Sequence, residues 1–209
     1  MILPDPAFSV AMPDAPAAVS RPRIVWPTMV LGKSSYEEGD LERFPDEHSY
    51  RERNRLGMGG AMSRAFRDAV RLANQRVWLL DEQLLRDDNS VGLLVQLLRD
   101  TNATDIIIVT ASKAGALERA GWLKALEKEL QDRKRRAPPR IRISLDLNRA
   151  DVAQIHDRFA VIDDVLWHCG ATVGGLHRDI NAMTFGWSAH TTHAIGFFTR
   201  LFNVLQIER

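Results

Sequence analysis

The run Asp105-Ile106-Ile107-Ile108-Val109-Thr110 places consecutive β-branched residues between polar breaks. Side chains of a strand alternate faces, so a run with no polar member in its middle needs apolar cover on both sides. Such a strand fits the interior of a sheet covered on both faces. Its neighbours supply the cover. Upstream, Ala61 to Arg76 repeats Met62, Phe66, Ala69, Val70 and Ala73 at helical spacing, Val77-Trp78-Leu79-Leu80 reads as a buried strand, and Val91 to Arg99 reads as a second helix. Downstream, Ala116 to Arg135 repeats Leu117, Ala120, Leu123, Leu126 and Leu130, and Pro138-Pro139 ends that helix. Ile141 to Leu147 alternates as a strand, and Ala194 to Ile207 is apolar enough for a final packed helix. Strands alternating with helices predict an α/β class fold with helices against a central sheet.

At 209 residues the chain can bury one sizeable core. We expect two parts: residues 1–55 as an extended or irregular N-terminal arm and connector, and residues 56–209 as the folded domain. Pro4, Pro6, Pro13, Pro16, Pro22 and Pro27 deny the arm regular hydrogen bonding, while Ile24, Val25 and Trp26 give it apolar residues with which to dock on a protein partner. Hydrophobic residues make up 45% and charged residues 26%, as in ordinary soluble proteins, and no apolar run reaches the roughly 18 residues of a membrane helix. The N-terminus lacks a basic region followed by an apolar core. The one cysteine, Cys169, sits on an apolar strand and reads as a small buried hydrophobe in a reducing compartment, so a cytoplasmic protein is expected. A net charge of +1 gives no global attraction to nucleic acid.

The chemistry-bearing segment is Ile155-His156-Asp157-Arg158-Phe159-Ala160-Val161-Ile162-Asp163-Asp164-Val165-Leu166-Trp167-His168-Cys169-Gly170. Residues 158–162 and 165–169 read as a hairpin about Asp163-Asp164. Alternation puts His156, Arg158, Ala160 and Ile162 on one face and Asp157, Phe159, Val161 and Asp163 on the other. A neutral imidazole is nucleophilic near pH 7, and a guanidinium beside it can neutralise two phosphate oxygens at once. Asp163 lies at the turn, where aspartate bonds to nearby backbone, and a structural role is expected of it.

The string resembles the catalytic motif of the phospholipase D superfamily, with His156, Arg158, Asp163 and Gly170 at the recurring positions. Arg158 stands where the family usually has Lys, and Gly170-Ala171-Thr172-Val173 where it usually has Gly-Ser-x-Asn, which resembles a branch of uncharacterised and defence-associated bacterial proteins. The weaker strand and helix pattern extends the resemblance over residues 60–209. It implies an α-β-α sandwich with a mixed central sheet and one half-site per chain. It also implies a nuclease that works through a phosphohistidine intermediate without metal or other cofactor. A chain with one motif would complete its site as a homodimer. Thr172 and Asn181 are candidate supporting residues. The family's orienting carboxylate has no acidic counterpart in Asn181 to Ser188, which leaves Asn181, Thr184 or Asp179 as substitutes. Arg133-Lys134-Arg135-Arg136, with Arg140 and Arg142 beyond, is the one dense basic patch and either a solvated helix end or a phosphate-backbone contact. His190 and His193, three apart without acidic or cysteine partners at defined spacing, match no ligand set, so no metal is expected. A phospholipase and a catalytically silent binding module are the competing functions.

Overall fold

The computed structural model describes residues 21–27, 40–41, 44, 63–85, 88–111, 116–131, 139–149, 155–173 and 181–206. They contain eight strands, β1 (Arg23–Pro27), β2 (Asp40–Leu41), β3 (Arg76–Leu80), β4 (Asp105–Val109), β5 (Arg140–Ser144), β6 (Arg158–Ile162), β7 (Val165–Cys169) and β8 (Met183–Ser188). Four helices join them: α1 (Arg64–Leu72), α2 (Asp88–Leu98), α3 (Ala116–Gln131) and α4 (Ala194–Gln206). The protein is a mixed α/β protein. Seven strands form one mixed sheet and the two-residue β2 extends its edge, in the order β2-β1-β8-β7-β6-β3-β4-β5. Strands β3, β4 and β5 run parallel, with α2 and α3 as crossovers, while β6, β7, β8 and β1 continue antiparallel.

The interior run behaves as its composition demands. In β4, Ile106, Ile107, Ile108 and Val109 are all fully buried. Ile106 and Ile108 join a core with Leu79, Ala160, Ile162 and residues of α1, α2 and α3, among them Phe66, Leu94, Leu98 and Leu126. Ile107 and Val109 join a second core with Trp78, Leu80, Val161 and the α4 residues Phe198, Leu201 and Leu205. Each such side chain contributes about 1.5–3 kcal/mol relative to exposure. The same alternation sorts β6, where Ala160 and Ile162 enter the first core while Val161 enters the second and Phe159 packs against it.

Three element ends differ from the periodicity. Helix α1 begins late because the Ser63 hydroxyl accepts the Phe66 amide at 3.2 Å, an N-cap. It ends at Leu72 because the chain must turn into β3, and that turn is held by Asp163. Strand β8 went unread, although Met183, Phe185 and Trp187 alternate with small or polar residues. A register shift between Leu166 and Trp167 and a φ of 111° at Gly186 mark an irregularity that hides a strand from pattern reading. Arg23, Ile24 and Val25, inside the stretch read as an arm, pair with β8, Trp26 and Pro27 pair with β2, and Val25 is 2% exposed in the first core. The arm's apolar residues thus dock on the chain's own sheet, because an antiparallel edge offers both hydrogen bonds and apolar cover. No helix among the described residues is long and apolar enough to cross a membrane.

Candidate active site

The site forms where β3 ends and β6 begins. Leu80 pairs with Phe159 in the antiparallel register, which sets Asp81, just beyond β3, across from Arg158. Asp81 continues the β3–β4 ladder by donating its amide to the Val109 carbonyl at 3.0 Å. Its side chain is on the face of Leu79 and Ala160, two residues along each strand, and is 0% exposed.

This buried carboxylate has three donors. Oδ1 accepts the Gln83 amide at 2.8 Å and the Arg158 Nε at 3.3 Å, and Oδ2 accepts the Val173 amide at 2.7 Å. Burial pushes the Asp81 carboxyl above its ordinary range, against the opposing pull of the Gln83 and Val173 amides and the Arg158 guanidinium. Glu82 follows at once and reaches both motif residues. Its Oε2 lies 3.6 Å from Nδ1 of His156 and its Oε1 lies 3.6 Å from a terminal nitrogen of Arg158. Gln83 Nε2 donates to Glu82 Oε1 at 3.3 Å. The His156 side chain is 76% exposed and that of Arg158 20%. A solvent-facing imidazole with a carboxylate at its Nδ1 side is therefore set beside a guanidinium held on its Nε edge.

Neither acid was singled out from the sequence. The motif's resemblance places an orienting carboxylate downstream of the hairpin, whereas the pair comes from Asp81-Glu82, far upstream. The available signal was their place directly after the apolar strand Val77–Leu80, since the carboxyl ends of interior strands in α/β sheets are where sites form.

Among the described residues, the remaining candidates lie around the hairpin and its neighbouring turns. Asp163 is at the other end of β6, with a φ of 49°, and its carboxylate accepts the amides of Asn74, Gln75 and Arg76 at 3.2, 2.8 and 3.1 Å. Thr172 is buried in the turn just before Val173. Asn181 is buried next to Gly170, where an added Cβ would meet the Ala182 carbonyl oxygen at 3.1 Å, so the motif glycine is needed for close backbone approach. Thr184 is a half-buried residue of β8. Arg133, Lys134, Arg135, Arg136 and Asp179 lie outside the described residues. Arg140 is exposed, whereas Arg142 spends its charge on Asp105, at 2.8 and 2.7 Å from the two carboxylate oxygens. His190 lies 3.0 Å from Asp164, and His193 forms the left-handed turn before α4. Among the described residues no three His, Cys, Asp or Glu side chains gather as a metal-ligand set.

The chain is thus a mixed α/β protein with a His156–Glu82–Arg158–Asp81 cluster at its strand ends. No protein-family model matches it, and neither does any curated protein. Similar solved structures include TrmBL2, an archaeal chromatin protein with a novel mode of DNA binding, at 9% identity and a TM-score of 0.34 over 66% of this chain. The chain spans 45% of that protein's length. Another is Nuc from Salmonella typhimurium, a phospholipase D family member, at 11% identity and a TM-score of 0.39, covering 66% of this chain and 85% of Nuc.

Proposed function

We propose that the protein is a phosphodiesterase of the phospholipase D superfamily with an α-β-α sandwich fold, most specifically a cytoplasmic nuclease whose active site is shared by two subunits. The observation that carries this reading is Glu82, with one oxygen toward Nδ1 of His156 and the other toward Arg158. A carboxylate on the Nδ1 side leaves Nε2 as the outward nucleophilic atom. Nε2 of His156 attacks phosphorus, the P–O bond to the leaving group breaks, and the second subunit's His156 donates the proton to the departing oxygen. Water then displaces the P–N bond, its proton passing to that same imidazole, and both histidines return to their starting forms. Arg158 stabilises the charge on the non-bridging oxygens. No step calls on a metal. Thr172 and Asn181 support the turn beside the site. Arg133, Lys134, Arg135 and Arg136 are the proposed contacts to the nucleic-acid backbone, and the part of the N-terminal arm outside β1 is the proposed contact to a protein partner. The motif's branch points to an effector of bacterial antiviral defence or repair.

The test is cleavage of labelled single- and double-stranded oligonucleotides by the dimeric full chain in the presence of a chelator. Cleavage should persist with chelator and fall on the order of a thousandfold or more in His156→Ala. Equal cleavage by wild type and variant, or a monomer at assay concentration, would overturn it. A second reading has its own support: Asp81 and Glu82 between them already offset the single positive charge of Arg158. In that reading the chain is a catalytically silent binding module, and His156→Ala leaves its biological function intact.

A further inference from the structure

Asp81 touches neither His156 nor any solvent, and the scheme above gives it no task. It is nonetheless the residue at which three separate segments meet. The Gln83 and Val173 amides and Nε of Arg158 all donate to its two oxygens. A buried acid with one cation for a partner is a poor source of stability, since well-packed neutral residues of similar size often do as well or better. Burial raises its proton affinity in spite of the three donors, the mark of a charge that its surroundings do not fully offset.

We infer that Asp81 is a positioning residue: it pins the Nε edge of Arg158 to the turn at Val173, so that the guanidinium's terminal nitrogens form a fixed fork beside His156. The inference rests on the reading of His156 and Arg158 as reacting groups. A guanidinium has five N–H donors in a rigid plane. Holding Nε on Asp81 leaves the donors of the terminal nitrogens for a phosphate, with Glu82 at one of them. The same carboxylate holds the Val173 amide, so the turn after β7 and the start of β6 cannot shift independently. Without the pin, Arg158 keeps its charge but loses its orientation, and misplacement by about 1 Å costs catalysis about 100-fold.

The experiment compares Asp81→Leu, Arg158→Gln and the double variant in the oligonucleotide assay, with thermal midpoints recorded for each. Leucine has a similar volume and no acceptor, whereas an asparagine oxygen in the Oδ1 place would keep both the Gln83 amide and Nε of Arg158. Asp81→Leu is expected to lower kcat/KM about 30- to 100-fold. In the Arg158→Gln background it should lower it no further. Full loss in both backgrounds would overturn the proposal, because a merely structural role adds to the loss of Arg158. A second readout needs no turnover. The Nε–H of Arg158 should give a slowly exchanging NMR signal in the free wild-type chain that vanishes in Asp81→Leu, and its persistence there would refute the pin. An inactive wild type with an Asp81-dependent Nε–H signal would instead sink the nuclease reading and support the pin.

Discussion

Replacing Asp163 tests whether the motif's aspartate acts through the fold and not through chemistry. Its carboxylate accepts three successive amides at the turn between α1 and β3, with the Asn74 amide 3.2 Å from both oxygens. The contacts to Asn74 and Gln75 are exposed and that to Arg76 is partly buried. Hydrogen bonds to a charged acceptor are worth about 1.5–3 kcal/mol when buried, and we take about 0.5–1 each for these because water competes. Asp163 also sits at a φ of 49°, a conformation that aspartate tolerates and alanine resists by about 1 kcal/mol. Asp163→Ala should therefore cost about 3 kcal/mol, and Asp163→Asn, which retains an acceptor and tolerates the same φ, about 1. Urea unfolding with an unchanged slope is the assay, and the alanine variant's thermal midpoint should drop by about 6–12 °C. The residual kcat of folded Asp163→Asn should match wild type. A loss below about 0.5 kcal/mol in Asp163→Ala, or a kcat collapse in a fully folded Asp163→Asn, would refute the reasoning.

Three further outcomes follow from the paired carboxylates Asp105 and Asp81. Asp105 accepts Arg142 on both oxygens and Trp78 Nε1 at 2.9 Å, so Asp105→Ala should lower stability by about 2–4 kcal/mol, whereas Arg142→Ala should leave the salt dependence of oligonucleotide binding unchanged, as read by fluorescence anisotropy. Because the folded-state pKa of Asp81 is raised above 3.8, its contribution to stability is fully present below that pH and is lost as pH rises through the folded value. The stability of wild type relative to Asp81→Asn, from denaturant titrations at a series of pH values, should thus fall as pH climbs above 3.8; a rise would reverse the assigned direction.

What the sequence made legible was what depends on local pattern. The interior strand β4, the crossover helices and the β6–β7 hairpin about Asp163-Asp164 follow from runs, spacings and turn residues that need no knowledge of the rest of the chain. Strand β8 was hidden because it bulges at Gly186, opposite Leu166 and Trp167, and β1 because a proline-rich context masks a strand whose ladder is made with a segment far downstream. The site divides in the same way. His156 and Arg158 stand two apart in sequence, His156 just before β6 and Arg158 at its first residue, and alternation alone predicts them on one face. Asp81 and Glu82 are separated from them by about half of the folded segment and meet them only because β3 and β6 are neighbours in the sheet. Sheet order is a long-range property, and no local pattern near the motif encodes it.

Glu82 is the residue on which the two functional readings diverge. As an orienting group it should aid the reaction, and as an anion beside the phosphate position it should oppose binding. Both effects are present at once, so they should separate between kcat and KM in Glu82→Gln. The amide keeps the side chain's length and can still accept from His156 Nδ1–H, but it removes a charge within 3.6 Å of Arg158. Two unit charges about 5 Å apart interact by about 0.8 kcal/mol in water and about 3 at an effective dielectric of 20. Glu82 is 30% exposed, so a gain near 1 kcal/mol, or about fivefold tighter oligonucleotide binding, is expected. A neutral acceptor supports a developing imidazolium less well, so kcat should fall about tenfold or more in the same variant. Tighter binding with slower turnover requires Glu82 to face both the histidine and the phosphate. Tighter binding with no turnover in either protein would favour the binding module, and weaker binding would mean that the phosphate does not sit beside Arg158 at all.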